Sequence, residues 1–238
     1  METMSRMPSR LSMVLGGGSW IMTLLYFLGQ AVAQTAWRTP YSLIDNRVSD
    51  LGNTECGRTL ANTYICSPLH AVMNATFVLT GVLILVGLFL TRSIWPRRRL
   101  TTWGLILLGI AGAGTILVGL SPENVNVLLH LIGALNIPAG NAAMILLGLA
   151  IWRQRRGLAS FSILSGVVGF LGLLAGPFLV IATDHGGGQA ERIALYPLII
   201  WLIVFGVWAV THCAIRKPVH VHPVAQQPEL VDRQAPPQ

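Results

Sequence analysis

Long, nearly uninterrupted apolar runs joined by short polar connections dominate the chain. Five of them reach or approach the roughly 20 residues that cross bilayer hydrocarbon, and a sixth, broken by polar residues and a proline, is longer still. The runs cover about 11–33, 69–90, 101–120, 125–152, 161–183 and 194–215. Their apolar residues are not confined to one stripe of a 3.6-residue period, so the pattern predicts helices surrounded by lipid. The expected fold class is all-α, a polytopic transmembrane helix bundle of about six spans. Residues 1–11 form a short leading segment and 12–215 the membrane domain. Residues 216–238, rich in Pro and Gln and without apolar periodicity, are expected to be a disordered tail, in which His220 and His222 have no evident task.

Composition supports this pattern. Of 238 residues, 53% are hydrophobic and only 11% charged, against roughly 25% charged in ordinary soluble domains. The net charge of +7 is patterned by loop. Arg6 and Arg10 precede the first run, and Arg92, Arg97, Arg98 and Arg99 separate the second from the third. Arg153, Arg155 and Arg156 follow the fourth, and Arg216 and Lys217 follow the sixth. The alternate loops hold Asp45, Asp50, Glu55, Glu123, Asp184 and Glu191. This is the positive-inside bias repeated at each crossing, and it predicts a multi-pass protein of the cell (cytoplasmic) membrane with both termini cytoplasmic. Membrane lipids are the expected partners, and a nucleic acid is not. The first run also admits a second reading. Arg6 and Arg10, an apolar stretch and Ala31-Val32-Ala33 resemble a cleavable signal peptide, although the stretch is long for one.

Three cysteines divide by side. Cys56 and Cys66 share the outer connection between runs one and two, while Cys213 ends run six. A disulfide between Cys56 and Cys66 is expected on the oxidising side; free or metal-binding thiols are the alternative. Ser165, Gly169, Gly172 and Gly176 give the fifth run a small-residue face for close helix packing, and Gly109, Gly112 and Gly119 do the same in the third. Pro138 is expected to kink the fourth. Trp20, Trp37, Trp95 and Trp103 are expected at headgroup level.

Polar groups in hydrocarbon are costly, so their clustering is informative. His70 and Asn74 share a face at the outer end of the second run, and His130 shares one with Asn126 and Asn141 in the fourth. Ser121-Pro122-Glu123 reads as a helix start, with Ser121 as cap. Asp184-His185 closes the fifth run, and Glu191-Arg192 opens the sixth. His70, Asn74, Glu123, His130, Glu191 and Arg192 are therefore the candidate lining of a polar pocket near the outer face. Each also has a plain structural use, as a helix tie, a helix-start residue or a headgroup-level charge. The chain has no phosphate-binding glycine loop, no dinucleotide glycine pattern, no HExxH and no Gly-x-Ser-x-Gly elbow.

The stretch from Tyr41-Ser42 through Asn46-Arg47-Val48-Ser49-Asp50-Leu51-Gly52, then Cys66-Ser67-Pro68-Leu69-His70-Ala71-Val72-Met73-Asn74, resembles bacterial six-span proteins called domain of unknown function 998. Ser121-Pro122-Glu123 with His130, and Gly188 through Glu191-Arg192, look like the same family. The resemblance implies a six-span membrane fold and no settled activity. More weakly, the outer histidines and acids are similar to membrane hydrolases of the ceramidase and adiponectin-receptor type, without their late pair of histidines at i and i+4.

Three functions follow as expectations. The first is a pocket for a lipid headgroup or small polar ligand, or an accessory role in the envelope. The second is a metal-dependent lipid hydrolase, with zinc on His70, His130 and His185 and Glu123 or Glu191 as base. The third is a scaffold whose tied outer loop contacts a membrane-protein partner. No cofactor is required by the first or third.

Overall fold

A computed structural model describes residues 9–58, 63–183 and 185–215, with side chains to residue 212. Expectations for the leading residues 1–8, the tail 216–238, Asp184 and the Cys213 side chain lie outside the described residues. Six helices in this range are long and apolar enough to cross a membrane: Arg10–Thr35, His70–Ile94, Arg99–Leu120, Val127–Ile151, Arg156–Thr183 and Gly187–His212. They are called spans one to six below. Each packs on the next, and span one closes on span six, so the bundle is a ring.

Local chemistry explains the helix ends and breaks. Ser9 caps span one, its hydroxyl accepting from the Ser12 amide. The span is broken near Thr23, whose hydroxyl donates to Trp20 O at 2.6 Å and competes with the helix ladder. Span four is broken at Leu135, between helices Val127–Ala134 and Asn136–Ile151. Pro138, three residues on, has no amide hydrogen to give Ala134 O, so the expected kink falls at this break. The start of span four differs from expectation. Residues 121–126 form a turn closed by Asn126 N–H to Pro122 O, and the cap is Asn126, accepting from Leu129 N at 3.0 Å. Ser121 is thereby free of capping and offers its carbonyl to His130.

The ring centre is filled by Trp20, Ile84, Leu108, Met144, Leu147, Trp201 and Leu202, each essentially inaccessible. Close approach is needed where span one meets span six: a Cβ on Gly206 would stand 2.5 Å from Gly17 O, and one on Gly17 2.7 Å from Gly206 O. On span five the packing face is Ser162, Gly166, Gly169 and Gly172, which are buried; Gly169 and Gly172 were expected there, whereas Ser162 and Gly166 take the place of Ser165. Three of the tryptophans expected at headgroup level are packed inside the protein. Trp20 donates to Ile84 O, Trp37 donates to Thr39 Oγ1, and Trp95 stacks on Trp201 and Phe205. Only Trp103 of the four is exposed. An indole with a partner for its N–H fits an interior as well as an interface, and the sequence does not distinguish them.

At one end the connection between spans one and two folds into a cap. It holds a 3₁₀ turn, Ser49–Gly52, and a short antiparallel pair, Gly57–Arg58 with Tyr64–Ile65. Cys56 and Cys66 are disulfide-bonded across a sequence separation of 10, as expected. Cross-linking so short a loop stabilises by about 2–3 kcal/mol in the chain-entropy account. Cys56→Ser is accordingly expected to lower the melting temperature of the protein in detergent. A reductant should do the same to the parent and nothing further to the variant.

Candidate functional site

The cap is fastened to span six by two adjacent charged residues. Span six begins at Gly187, seven residues before the run at 194–215 that was expected to form it. The turn before it is made by Gly186 at φ 87°, a conformation glycine adopts without strain. Glu191 and Arg192 therefore sit within the helix and reach sideways into the cap. The Arg192 Nη1 donates to three carbonyls, Leu43 O at 3.0 Å, Asn46 O at 2.7 Å and Gly188 O at 2.8 Å. Its Nη2 donates to the Tyr41 hydroxyl, and the guanidinium lies 5.6 Å from that ring's centroid. Tyr41 in turn donates to Arg47 O at 3.1 Å. Burial pushes its phenol up to about 12, so it stays a neutral relay. Glu191 accepts from two consecutive cap amides, Val48 N and Ser49 N. Arg192 is only 7% exposed, and makes no ion pair among the described residues.

Asp50 is the group that sequence reading passed over. It is buried in the 3₁₀ turn and accepts from Arg47 N at 2.8 Å. Burial raises its ionisation to about 7, and the Glu191 and Glu123 carboxylates push in the same direction. It stands inside a stretch already singled out by resemblance, but nothing in spacing or composition distinguishes a buried aspartate from a solvated one. The rest of the cap is bound to span two. Ser67 Oγ donates to Leu51 O at 2.7 Å, and Asn74 Nδ2 donates to Gly52 O at 2.9 Å. Asp45, exposed, is held below the usual carboxylate range by the Gly186 amide and the Ser42 hydroxyl.

Asn74, Glu123, Glu191 and Arg192 thus contact cap residues 41–53, whereas His70 and His130 bond to Ser67 and Ser121, and the six do not surround one cavity. Glu123 lies 3.9 Å from the exposed Arg47 guanidinium, a pair that contributes little to stability. His70 Nδ1 meets Ser67 O and His130 Nδ1 meets Ser121 O, both at 3.0 Å, while His185 Nδ1 meets the Asp45 carboxylate at 3.1 Å. These three imidazoles answer to three different partners. Among the described residues no three His, Cys, Asp or Glu side chains are gathered as a metal site, so His70, His130 and His185 do not form the zinc cluster that the hydrolase expectation needs.

Two concavities adjoin the cap. One, of about 430 Å³, lies between cap residues Leu43 and Ile44 and spans five and six, with Val168, Gln189, Arg192, Ile193 and Tyr196 in its wall. The other, of about 370 Å³, lies between the disulfide and the head of span four and includes Glu55, Arg58, Glu123 and Asn124. Arg192 is the one candidate in the first and Glu123 the one in the second. His70, Asn74, His130 and Glu191 line neither.

No curated protein and no solved structure matches the chain. A family model does, over residues 20–208, a range that runs from within span one to near the end of span six and includes the cap and the Glu191–Arg192 fastening. The chain belongs to the membrane-protein family described as "Protein of unknown function (DUF998)".

Proposed function

We propose that the chain binds a membrane lipid in the lateral groove beneath the cap, with the polar headgroup at the level of Gln189 and the acyl part along spans five and six. The observation that carries this reading is the chemical gradient of the groove wall. At its cap end stand the exposed Gln189 amide and the buried Arg192; further along stand Tyr196 and the apolar Val168, Ile193 and Ile200, which are 45%, 39% and 45% exposed. Leu43 and Ile44 of the cap are 55% and 54% exposed beside them, where lipid, not water, is the suitable neighbour. The Arg192 Nη donors are engaged by the cap and only its buried Nε–H has no partner among the described residues, so its main contribution is its charge, which has no carboxylate within ion-pair distance there. In a low-dielectric setting such a charge favours an anionic headgroup.

Binding is preferred over hydrolysis because the imidazoles at this end are committed to separate partners. The test leaves the fastening intact and fills the groove. Val168→Trp is expected to remove the lipid that co-purifies with the parent, read by mass spectrometry of an organic extract, at an unchanged melting temperature. Equal lipid per protein in parent and variant overturns the reading.

A further inference from the structure

We propose that the opposite end of the bundle carries a second site, for the phosphate headgroup of an anionic lipid. A concavity of about 470 Å³ lies at this end. Its polar wall is Arg10, Ser93, Gln154 and Arg155, and its apolar wall includes Trp95 and Phe205. Segments from four connections meet there: the head of span one, the turn after span two, the turn between spans four and five, and the end of span six.

Charge selects the ligand. Every described carboxylate, Asp45, Asp50, Glu55, Glu123 and Glu191, belongs to the cap end. The arginines of the head of span one and of segments 92–99 and 152–156 stand at this end with no acid among the described residues to neutralise them. One of them is held in place. Arg155 Nη2 lies 2.7 Å from His212 Nε2, and its guanidinium lies over the Trp208 ring at 4.8 Å. A ring nitrogen that accepts from arginine belongs to a neutral imidazole, so both contacts orient the guanidinium without cancelling its charge. A fixed planar donor is suited to phosphate oxygens, and fixing it beforehand lowers the entropy lost on binding.

The aromatic wall decides between a free phosphate and a lipid. Trp95 is stacked on Phe205 at 5.6 Å and on Trp201 at 6.2 Å, a rigid apolar surface that a small inorganic anion would leave uncovered. A glycerophospholipid supplies both halves, a phosphodiester for Arg10 and Arg155 and acyl carbon for the aromatic wall. The positive-inside bias assigns this end to the cytoplasmic leaflet, where anionic lipid resides. The site lies at the other end of the bundle from the groove beneath the cap and stands independently of it.

The experiment is native mass spectrometry of the full chain, titrated with phosphatidylglycerol, with phosphatidylcholine of the same acyl chains, and with soluble glycerol phosphate. Phosphatidylglycerol is expected to bind more tightly than the other two. Arg155→Gln and Arg10→Gln should each weaken it about fivefold, as removal of one basic group at an anionic surface does. Ser93→Trp, which adds bulk at the mouth without changing charge, should weaken it as well. Arg153→Gln, at an exposed arginine outside the cavity wall, should change it less than about twofold, since it removes no group that meets the phosphate. All of these titrations use the Val168→Trp background, in which the groove beneath the cap is filled. Equal binding of the two lipids overturns the proposal, as does a loss in Arg153→Gln equal to that in Arg155→Gln. Glycerol phosphate binding as tightly as the lipid overturns the lipid assignment. If Arg155→Gln lowers the melting temperature through its His212 contact, Arg10→Gln and Ser93→Trp decide the matter.

Discussion

Arg192→Ala is expected to cost the protein about 3 kcal/mol, because it removes several hydrogen bonds from one charged donor, each contributing about 1.5–3 kcal/mol. Leu43 O, Asn46 O and Gly188 O lose their shared donor, and Tyr41 loses the guanidinium beside its hydroxyl. The damage should be directional. The Arg192 hydrogen bonds go only to the cap and to its own helix, so the helix content should survive while the cap comes loose. Limited proteolysis is the first check, with cleavage expected in 36–58 of the variant under conditions that spare the parent. Arg192→Lys should fall between the two, since a compact ammonium can meet some of the carbonyls but not the Tyr41 hydroxyl in the same geometry. A variant as protease-resistant as the parent would mean that the cap is held by Glu191, Asn74 and the disulfide without Arg192.

Asp50→Asn is expected to abolish most of the pH dependence of cap stability. Asp50 ionises at about 7 in the folded cap, against an ordinary 3.8. Between those values the folded chain keeps a proton that the unfolded chain has released, so stability falls as pH rises from about 4 to about 7 and levels off above. The ionised form is the unfavourable one, and at pH 8 it costs up to about 4 kcal/mol. Asparagine keeps an oxygen for Arg47 N–H and cannot ionise. The variant should therefore match the parent near pH 4 and melt higher at pH 8. Hydrogen exchange at the Val48 and Ser49 amides, bound by Glu191, would follow the same transition. Parallel melting curves for parent and variant from pH 4 to 8 would overturn the assignment of the titrating group.

Much of the fold was legible because hydrocarbon imposes a strict rule on sequence. A segment that crosses it must satisfy its own backbone and present apolar side chains all round, and that leaves long runs that need no tertiary information to recognise. The six spans, the broken fourth span beside Pro138 and the Cys56–Cys66 bond were readable in this way. Errors gathered where a residue has two stable homes. Tryptophan is comfortable at headgroup level and in a packed interior, and Trp20, Trp37 and Trp95, expected at headgroup level, are packed inside the protein. Asn126 and Ser121 are both good caps, and the choice between them depended on where the chain turns back from span three.

The candidate site was legible in a weaker sense. Alternation of spans alone puts His70, Asn74, Glu123, His130, Glu191 and Arg192 at one end. What they do there was not legible, because each can satisfy its hydrogen bonds in several ways. Glu191 and Arg192 look like headgroup-level charges when span six is begun at 194. Beginning it at Gly187 turns them inward, onto amides and carbonyls of a loop some 140 residues earlier. Asp50 shows the same limit, since its carboxyl is ordinary in sequence and unusual only once the cap closes over it.

The sequence by itself determined that this chain is a multi-pass membrane protein of about six apolar runs and which loops share a side, since hydrophobic length and charge bias act locally along the chain. The tertiary structure alone decided which polar residues fasten the cap, which aspartate is buried beneath it, and where the bundle opens into grooves. Those outcomes depend on burial and on partners distant in sequence, and the free energy of a polar group is set by what surrounds it in the fold.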